Sequence, residues 1–291
     1  MAARTRIRYR ASKMRVVSRR CVLFLGAGIS RNCRNAQGQT PKTWEEFLRT
    51  AIKTIRPNMH IRNLIKKEDY LTSCEVVKAT LGRNDFNGLL ITEFLNPQFP
   101  HAPIHEAIFD LDSRIVATPN FDKIYETFAN HRASGSIRIK HHYDADVAEA
   151  IRRSGRLILK IHGTIDSPDK MIFTRQEYAE ARVKYRSFYS ILEALVLTHT
   201  FLFLGCGIND PDIRLLLEDN FFKHKSTVPH IFVLPKESLH KDVIAVIQAS
   251  MNLKVLTYNS SGGNTELLDS LKDLIGRVEQ ERDLLRSNSN W

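Results

Sequence analysis

The chain has 291 residues, of which 43% are hydrophobic, with 43 Lys and Arg residues against 32 Asp and Glu, for a formal net charge of +11. This composition is typical of a globular protein, and no run of about 18 apolar residues exists that would predict a membrane span. The four cysteines are scattered without a Cys-x-x-Cys pair, so we expect no zinc knuckle and a reduced, cytoplasmic protein without a metal.

The positive charge is concentrated at the N-terminus. Residues 1–20 contain eight Lys or Arg residues and no acidic residue, which leaves +3 on the remaining 271 residues. Such an arm can contact nucleic-acid phosphates or an acidic partner, but charge blocks are also typical of solvated, disordered tails and of transit peptides. We therefore predict a flexible basic arm over 1–20 and one domain over 21–291.

Apolar runs separated by helix-sized segments predict buried parallel strands. The first begins at Cys21 and ends at Leu25, and the others are Arg114–Ala117, a short run at Ser136–Lys140, Leu157–Ile161, Phe201–Leu204, His230–Leu234 and Lys254–Tyr258. This pattern predicts an α/β fold, with a Rossmann-like, mostly parallel sheet and helices on both faces.

The segments between the strands are expected to be helical. Thr43 and Glu46 have capping-box spacing, and residues 44 to about 110 are predicted to form an inserted helical module. Further helices are predicted at 121–130, 144–153, Glu177–Thr198, after the Asp210-Pro211 cap, and over about 264–286. The apolar stripe of the last helix is expected to pack on its own domain rather than on a partner.

Four short motifs follow strands, and ligands bind open α/β sheets at the carboxyl ends of their strands. We therefore expect Gly26, Gly28, Asn120, Asp122 and His162 to converge on one crevice. Gly26-Ala27-Gly28-Ile29-Ser30 would let backbone amides approach a pyrophosphate, although Arg31 replaces the usual third glycine and a tight turn is the alternative.

The polar residues of these motifs can have either a functional or a purely structural role. Asn120 can orient a water or an amide and Asp122 can accept from a carboxamide, but either can also be an ordinary helix cap. His162 has the side chain most used for acid–base chemistry near neutral pH, yet a single strand-end histidine is often structural. The pair His141-His142 lacks carboxylate or Cys neighbours at ligand spacing, so we assign it to the surface or to a loop.

Taken together, the motifs resemble the sirtuin superfamily, in particular its bacterial sirtuin-like NAD-hydrolase branch, over roughly residues 20–260. The matching elements are Gly26-Ala-Gly-Ile-Ser30, Gly38 to Trp44, Thr118-Pro-Asn-Phe-Asp122, Lys160-Ile-His-Gly163 and Gly205 to Pro211. Three features depart from the family's deacetylases: the four-cysteine zinc module is missing, Pro119 stands where a Gln is found, and Gly207 replaces a common serine. The first two argue against protein deacetylation.

The resemblance implies binding of NAD as substrate, with no metal, and cleavage of its nicotinamide–ribose bond. His162 would be the base and Asn120 the second catalytic residue, with Thr118 and Asp122 beside the nicotinamide ribose and carboxamide. The pyrophosphate would be held by Gly26, Ala27, Gly28 and Ser30, and the adenosine side by Gly205, Gly207 and Asn209.

The resemblance also implies an NAD-depleting effector of antiphage defence, which we expect to form a homo-oligomer. With 291 residues we expect no large sensor domain, and we therefore expect a separate activating protein, such as a HerA-type ATPase or an Argonaute. The alternatives are an NAD-dependent protein deacylase, a non-catalytic nucleotide-binding assembly module, and a dehydrogenase, for which the third glycine is missing.

Overall fold

A computed structural model describes residues 16–288 except 57, 209, 212, 215 and 219–227. The strands of these residues form one parallel sheet in the order β3-β4-β2-β1-β5-β6-β7. Their bounds are β1 Cys21–Leu25, β2 Ile115–Thr118, β3 Arg138–His141, β4 Leu157–Lys160, β5 Thr200–Leu204, β6 His230–Pro235 and β7 Leu253–Tyr258. The predicted Rossmann-like α/β fold is confirmed, and every predicted strand lies within two residues of its observed position.

Helices connect these strands. Their bounds are α1 Ala27–Ser30, α2 Trp44–Ala51, α3 Met59–Lys66, α4 Tyr70–Leu81, α5 Arg83–Leu90, α6 Pro103–Asp110, α7 Ile124–Arg132, α8 Val147–Arg152, α9 Arg175–Lys184, α10 Arg186–Thr198, α11 Lys241–Met251 and α12 Thr265–Ser287. A π-helical turn at Ile91–Leu95 follows α5, and a 3-10 turn spans Pro168–Lys170. No helix of the described residues is both long enough and apolar enough to cross a membrane.

Helices cover both faces of the sheet, as the sequence predicts. On one face α6, α7 and α12 pack against outward-pointing residues of β1 and β2 such as Leu23 and Val116. On the other face α8, α10 and α11 pack against Phe24, Phe203 and Phe232. The stripe of α12 is buried against its own domain through Leu267, Leu271, Leu274 and Val278, as expected.

The helices of the predicted module divide between two cores. Helices α2 to α5 have their own apolar core, in which Phe47 and Phe86 contact Phe173 of the segment that precedes α9. Thr43 caps α2 through the predicted capping box with Glu46. Helix α6 instead packs on the sheet. The core around Phe173 fixes the helical module beside the carboxyl edge of the sheet.

Two segments differ from their predicted form. The region 177–198 is not one helix, because α9 ends at Lys184 and α10 begins at Arg186, with Tyr185 between them outside the αR region. In the described part of the predicted basic arm, Val16 and Val17 are buried in the core. Arg19 in the same stretch pairs with Asp112. Residues 1–15 lie outside the described residues.

Candidate active site

A cleft of about 900 Å³ opens at the carboxyl ends of the central strands. The sheet order reverses at β1, which pairs with β2 on one side and with β5 on the other. Such a reversal leaves a crevice where α/β proteins bind ligands. The cleft brings together most of the predicted site residues, namely Gly26, Ala27, Gly28, Ser30, Asn120, Asp122, His162, Gly205 and Gly207.

Two predicted residues are not in this group. Thr118 lies behind the cleft, where it is buried and lines a small adjoining void with Ser30, Asn120 and Asp122. Asn209 lies outside the described residues. Asp210 does line the cleft, and its carboxylate accepts a hydrogen bond from the Ile213 amide, as a helix-capping residue does.

The glycines of the first and fourth motifs are required by contact between two turns. The amide of Gly26 donates to the Leu204 carbonyl at 2.9 Å, and the amide of Gly28 donates to the Gly205 carbonyl at 2.9 Å. A Cβ atom on Gly26 would lie 2.4 Å from the Gly205 oxygen. Gly205 has a φ of +65°, and a Cβ there would lie 2.5 Å from the Ile29 nitrogen. The turns after β1 and β5 therefore form one close-packed floor at the switch point.

Gly207 differs from these glycines, because a Cβ at this position would meet nothing within 4 Å among the described residues. Space for a side chain is therefore present where the family commonly has a serine.

A hydrogen-bonded network connects the first two motifs. Ser30 Oγ donates to Asp122 Oδ2 at 2.8 Å, and Asn120 Nδ2 donates to Ser30 Oγ at 3.3 Å. Thr118 Oγ1 accepts from the Asn120 amide at 3.1 Å and donates to the Leu25 carbonyl at 2.7 Å. The Asn120 backbone is thereby tied to the ends of β1 and β2 through Thr118, and Ser30 holds its side-chain amide at a defined place in the cleft.

A buried ion pair lies beneath this network. Lys160 and Glu126 are 1% and 7% exposed at their side chains, and Lys160 Nζ lies 2.7 Å from Glu126 Oε2. The same ammonium donates to the Asp122 carbonyl at 2.5 Å. Because both charges are removed from water, each needs the other, and the pair anchors the Asn120–Asp122 loop to β4 and α7.

His162 follows β4 and lies on the cleft wall with only 2% of its surface exposed. Its Nδ1 lies 3.2 Å from the hydroxyl of Tyr178, and the two rings meet at 64° with centroids 4.8 Å apart. A partner on one ring nitrogen fixes the orientation of the imidazole and which nitrogen faces the substrate. Tyr178 is itself buried on α9. An acid–base residue held this way is suited to transfer a proton without bulk water.

The aromatic core that joins the helical module to the sheet also lines the cleft. Trp44, Phe94, Phe121 and Phe173 line it, and Trp44 stacks on Phe173 with centroids 4.5 Å apart. Arg31, which stands in place of the third glycine, also lines the cleft and pairs with Glu46. The cleft thus has an aromatic side and a polar side, the usual composition of a site for a small organic ligand.

Sequence reasoning missed Tyr178, Lys160 and Glu126 as site residues. Lys160 carried a signal, because a lysine inside a buried strand requires a charged partner. The histidine pair, expected at the surface or in a loop, lies at the end of β3 and in the turn that follows it, but His142 is not at the surface. That residue is only 3% exposed, and its ring contacts Tyr185. In the described residues no group of three or more His, Cys, Asp or Glu side chains is arranged to hold a metal ion.

The comparison with known families agrees with this geometry. Residues 114–256, which contain the Asn120 and His162 motifs, match the SIR2-like domain family. This part of the chain therefore resembles a SIR2-like domain, in agreement with the resemblance that its motifs carry.

Curated relatives refine this assignment. Defense-associated sirtuin 2 of Bacillus subtilis is 26% identical over 228 residues, which is 75% of this chain and 21% of that protein. NAD(+) hydrolase ThsA of Acinetobacter baumannii (strain 532279) is 26% identical over 67% of this chain and 38% of its own length. NAD(+) hydrolase ThsA of Enterococcus faecium is 27% identical over 74% of this chain and 43% of its own. The matched region thus spans less than half of each of these relatives.

Proposed function

We propose that this protein hydrolyses NAD at the bond between nicotinamide and ribose, releasing nicotinamide and ADP-ribose. The observation that carries the proposal is the meeting of Asn120 and His162 in one cleft at the switch point of a SIR2-like domain. Two of the relatives described above are named NAD(+) hydrolases, and they match the region that contains both residues.

The chemistry requires little from the protein beyond positioning and electrostatics. Nicotinamide leaves as a neutral molecule from a cationic ring, so the transition state has oxocarbenium character and needs no strong nucleophile. The site must hold the dinucleotide, stabilise positive charge on the ribose and admit one water while excluding bulk solvent. A cleft of about 900 Å³ at the junction of sheet and helical module has the size for a dinucleotide.

Each side chain is given one role. Asn120 orients the attacking water or the ribose through its amide, held by its bond to Ser30. His162 accepts a proton from a ribose hydroxyl or from that water, with its ring oriented by Tyr178. Asp122 and Thr118 support the Asn120 loop next to the nicotinamide ribose and carboxamide.

The rest of the dinucleotide is placed along the floor. The pyrophosphate lies over the Gly26-Ala27-Gly28 turn and Ser30, which line the floor of the cleft. The adenosine side lies at Gly205, Gly207 and Asn209, with NAD acting as a substrate and not as a retained cofactor.

We further propose a biological role as an NAD-depleting effector of antiphage defence. The support is the likeness to a defense-associated sirtuin and to proteins named ThsA. A toxic activity of this kind must stay silent until it is triggered, so the proposal includes a homo-oligomer, a separate activating protein and a cytoplasmic location. The basic N-terminal arm is the segment we propose for contact with nucleic acid or with the activator.

The proposal is tested by incubating the purified chain with NAD and separating the products by chromatography. Equal release of nicotinamide and ADP-ribose is expected, whereas cyclic ADP-ribose in place of ADP-ribose would show that the cleaved ribose is captured internally and not by water. If nothing is released, binding of NAD is measured by calorimetry. Failure to bind NAD would contradict the proposal and leave the non-catalytic assembly module as the better account.

A further inference from the structure

A second cavity, of about 360 Å³, lies on the other side of helix α9 from the cleft. The two cavities use opposite faces of that helix. Arg175, Tyr178 and Arg182 line the cleft, whereas the second cavity is lined by Glu177, Ala181 and Lys184 together with residues of α4 and of the 169–174 segment. The helical repeat separates these two sets of residues, so the second cavity is a separate compartment.

His142 lies in the wall of this second cavity. Its side chain is 3% exposed, and its Nδ1 atom is buried without a hydrogen-bond partner among the described residues. Burial is the main cause that lowers the pKa of His142 to about 3, with further contributions from His162 and His141. The ring is therefore neutral near pH 7. A buried polar atom without a partner costs free energy, so such an atom in a cavity wall points to a missing ligand.

The carboxylates around the cavity are already engaged. Glu177 pairs with Lys78, and Asp169 pairs with Arg83 at 2.6 Å. The other two carboxylates accept hydrogen bonds from Gln176. Its backbone amide donates to Glu75 at 2.9 Å, and its side-chain Nε2 donates to Glu180 at 2.6 Å. Glu177 and Asp169 are thereby neutralised by paired cations, and Glu75 and Glu180 are held in place by hydrogen bonds from Gln176.

Two ammonium groups of the cavity have no carboxylate partner among the described residues. Lys170 lies over the ring of Tyr143 at 4.6 Å, and Lys184 lies over the ring of Tyr185 at 5.2 Å. Both lysines are exposed at the cavity mouth. Their positive charge remains available to a ligand, and charge-assisted contacts of this kind are stronger than neutral ones.

We propose that this cavity is a binding site for a small organic anion, whose charged group is held by Lys170 and Lys184 while a polar atom hydrogen-bonds to His142. The volume is at the lower end of ligand pockets, which fits an anion of sugar-phosphate or tricarboxylate size. Phosphate and carboxylate share the chemistry that these groups recognise. The proposal does not depend on hydrolysis of NAD.

The test is direct binding to the purified full chain, measured by calorimetry with two probes, ribose 5-phosphate and citrate. The variant K170Q/K184Q removes the two available charges without touching the core. A matched control, K241Q/K272Q, removes two exposed charges on α11 and α12 outside the cavity. A second control, Arg31→Gln, changes a cation of the cleft.

Saturable binding of at least one probe is expected in the wild type and in both controls, with affinity at least tenfold lower in K170Q/K184Q. The preferred probe identifies the phosphate or the carboxylate as the recognised group. Three results would overturn the proposal. These are no saturable binding of either probe up to about 10 mM, equal affinity in K170Q/K184Q, and loss of binding in Arg31→Gln alone, which would assign the anion to the cleft.

Discussion

The contact between the two glycine turns can be tested by Gly26→Ala. The backbone of Gly26 has φ −90° and ψ 177°, an extended conformation open to any residue, so the substitution brings no conformational strain of its own. Its only cost is steric, because the new Cβ would lie 2.4 Å from the Gly205 oxygen and 2.7 Å from the Cys206 Cα. Both are backbone atoms, which cannot swing aside as a flexible side chain can.

The expected magnitude follows from that displacement. Restoring ordinary contact requires the Gly205 carbonyl to move by about 1 Å. That carbonyl accepts the hydrogen bond from Gly28, which would be lost at a cost of about 1 kcal/mol. Forcing an extra carbon into a packed site costs about 1–3 kcal/mol. We therefore expect Gly26→Ala to lower the free energy of unfolding by about 2–4 kcal/mol and to distort the cleft floor.

The measurement is urea unfolding followed by circular dichroism, with Gly207→Ala as the matched control. No described atom lies within 4 Å of a Cβ on Gly207, so this variant should stay within about 0.5 kcal/mol of the wild type or gain slightly. Equal stability of the two variants would refute the close approach of the two turns.

Three further predictions concern the residues that support the site. Tyr178→Phe removes the hydroxyl at 3.2 Å from His162 Nδ1, and should lower kcat of NAD cleavage about tenfold and shift its pH profile while KM changes little; an unaltered profile would remove Tyr178 from the mechanism. Lys160→Met leaves Glu126 buried without its partner and should lower the free energy of unfolding in urea by about 3–5 kcal/mol, and Glu126→Gln should restore part of this loss in the double variant. An unchanged free energy of unfolding in Lys160→Met would contradict the buried ion pair. Burial lowers the pKa of His105 and of His230 from the usual 6.5 to about 4, and it lowers the pKa of His142 to about 3. Their contribution to the free energy of unfolding is complete above about pH 6.5 and is lost as the pH falls toward 4, because the unfolded chain binds protons that the folded chain excludes. The loss is about 1.4 kcal/mol per pH unit for each histidine. Urea midpoints that stay constant between pH 7 and pH 5 would contradict this.

The sheet could be predicted from the sequence because buried parallel strands are continuous apolar runs. Cys21–Leu25 and Thr200–Leu204 have every residue buried, and the glycine that follows each run lies at the same edge of the sheet. The convergence of Asn120 and His162 follows from that rule alone. The helix over 177–198 was less predictable, since the break at Tyr185 contains neither glycine nor proline.

The supporting contacts of the site could not be predicted, because they join residues that are distant in sequence. Position 26 requires glycine because the Gly205 backbone lies against it. The sequence around Gly205, taken alone, predicts only a second glycine turn of the phosphate-binding type. The position of His142 depends on α10 packing over it through Phe188. Local sequence patterns predict where the strands end, whereas the contacts of each side chain depend on tertiary packing.

The central claim is that Asn120 and His162 act together on NAD in one cleft. The most direct measurement is the rate of nicotinamide release by the wild type, Asn120→Ala, His162→Ala and the exposed-histidine control His131→Ala, at equal concentration and with matched circular dichroism spectra. We predict release by the wild type and by His131→Ala, and a loss of at least 100-fold in the other two variants. Undiminished release by His162→Ala or by Asn120→Ala would contradict the account.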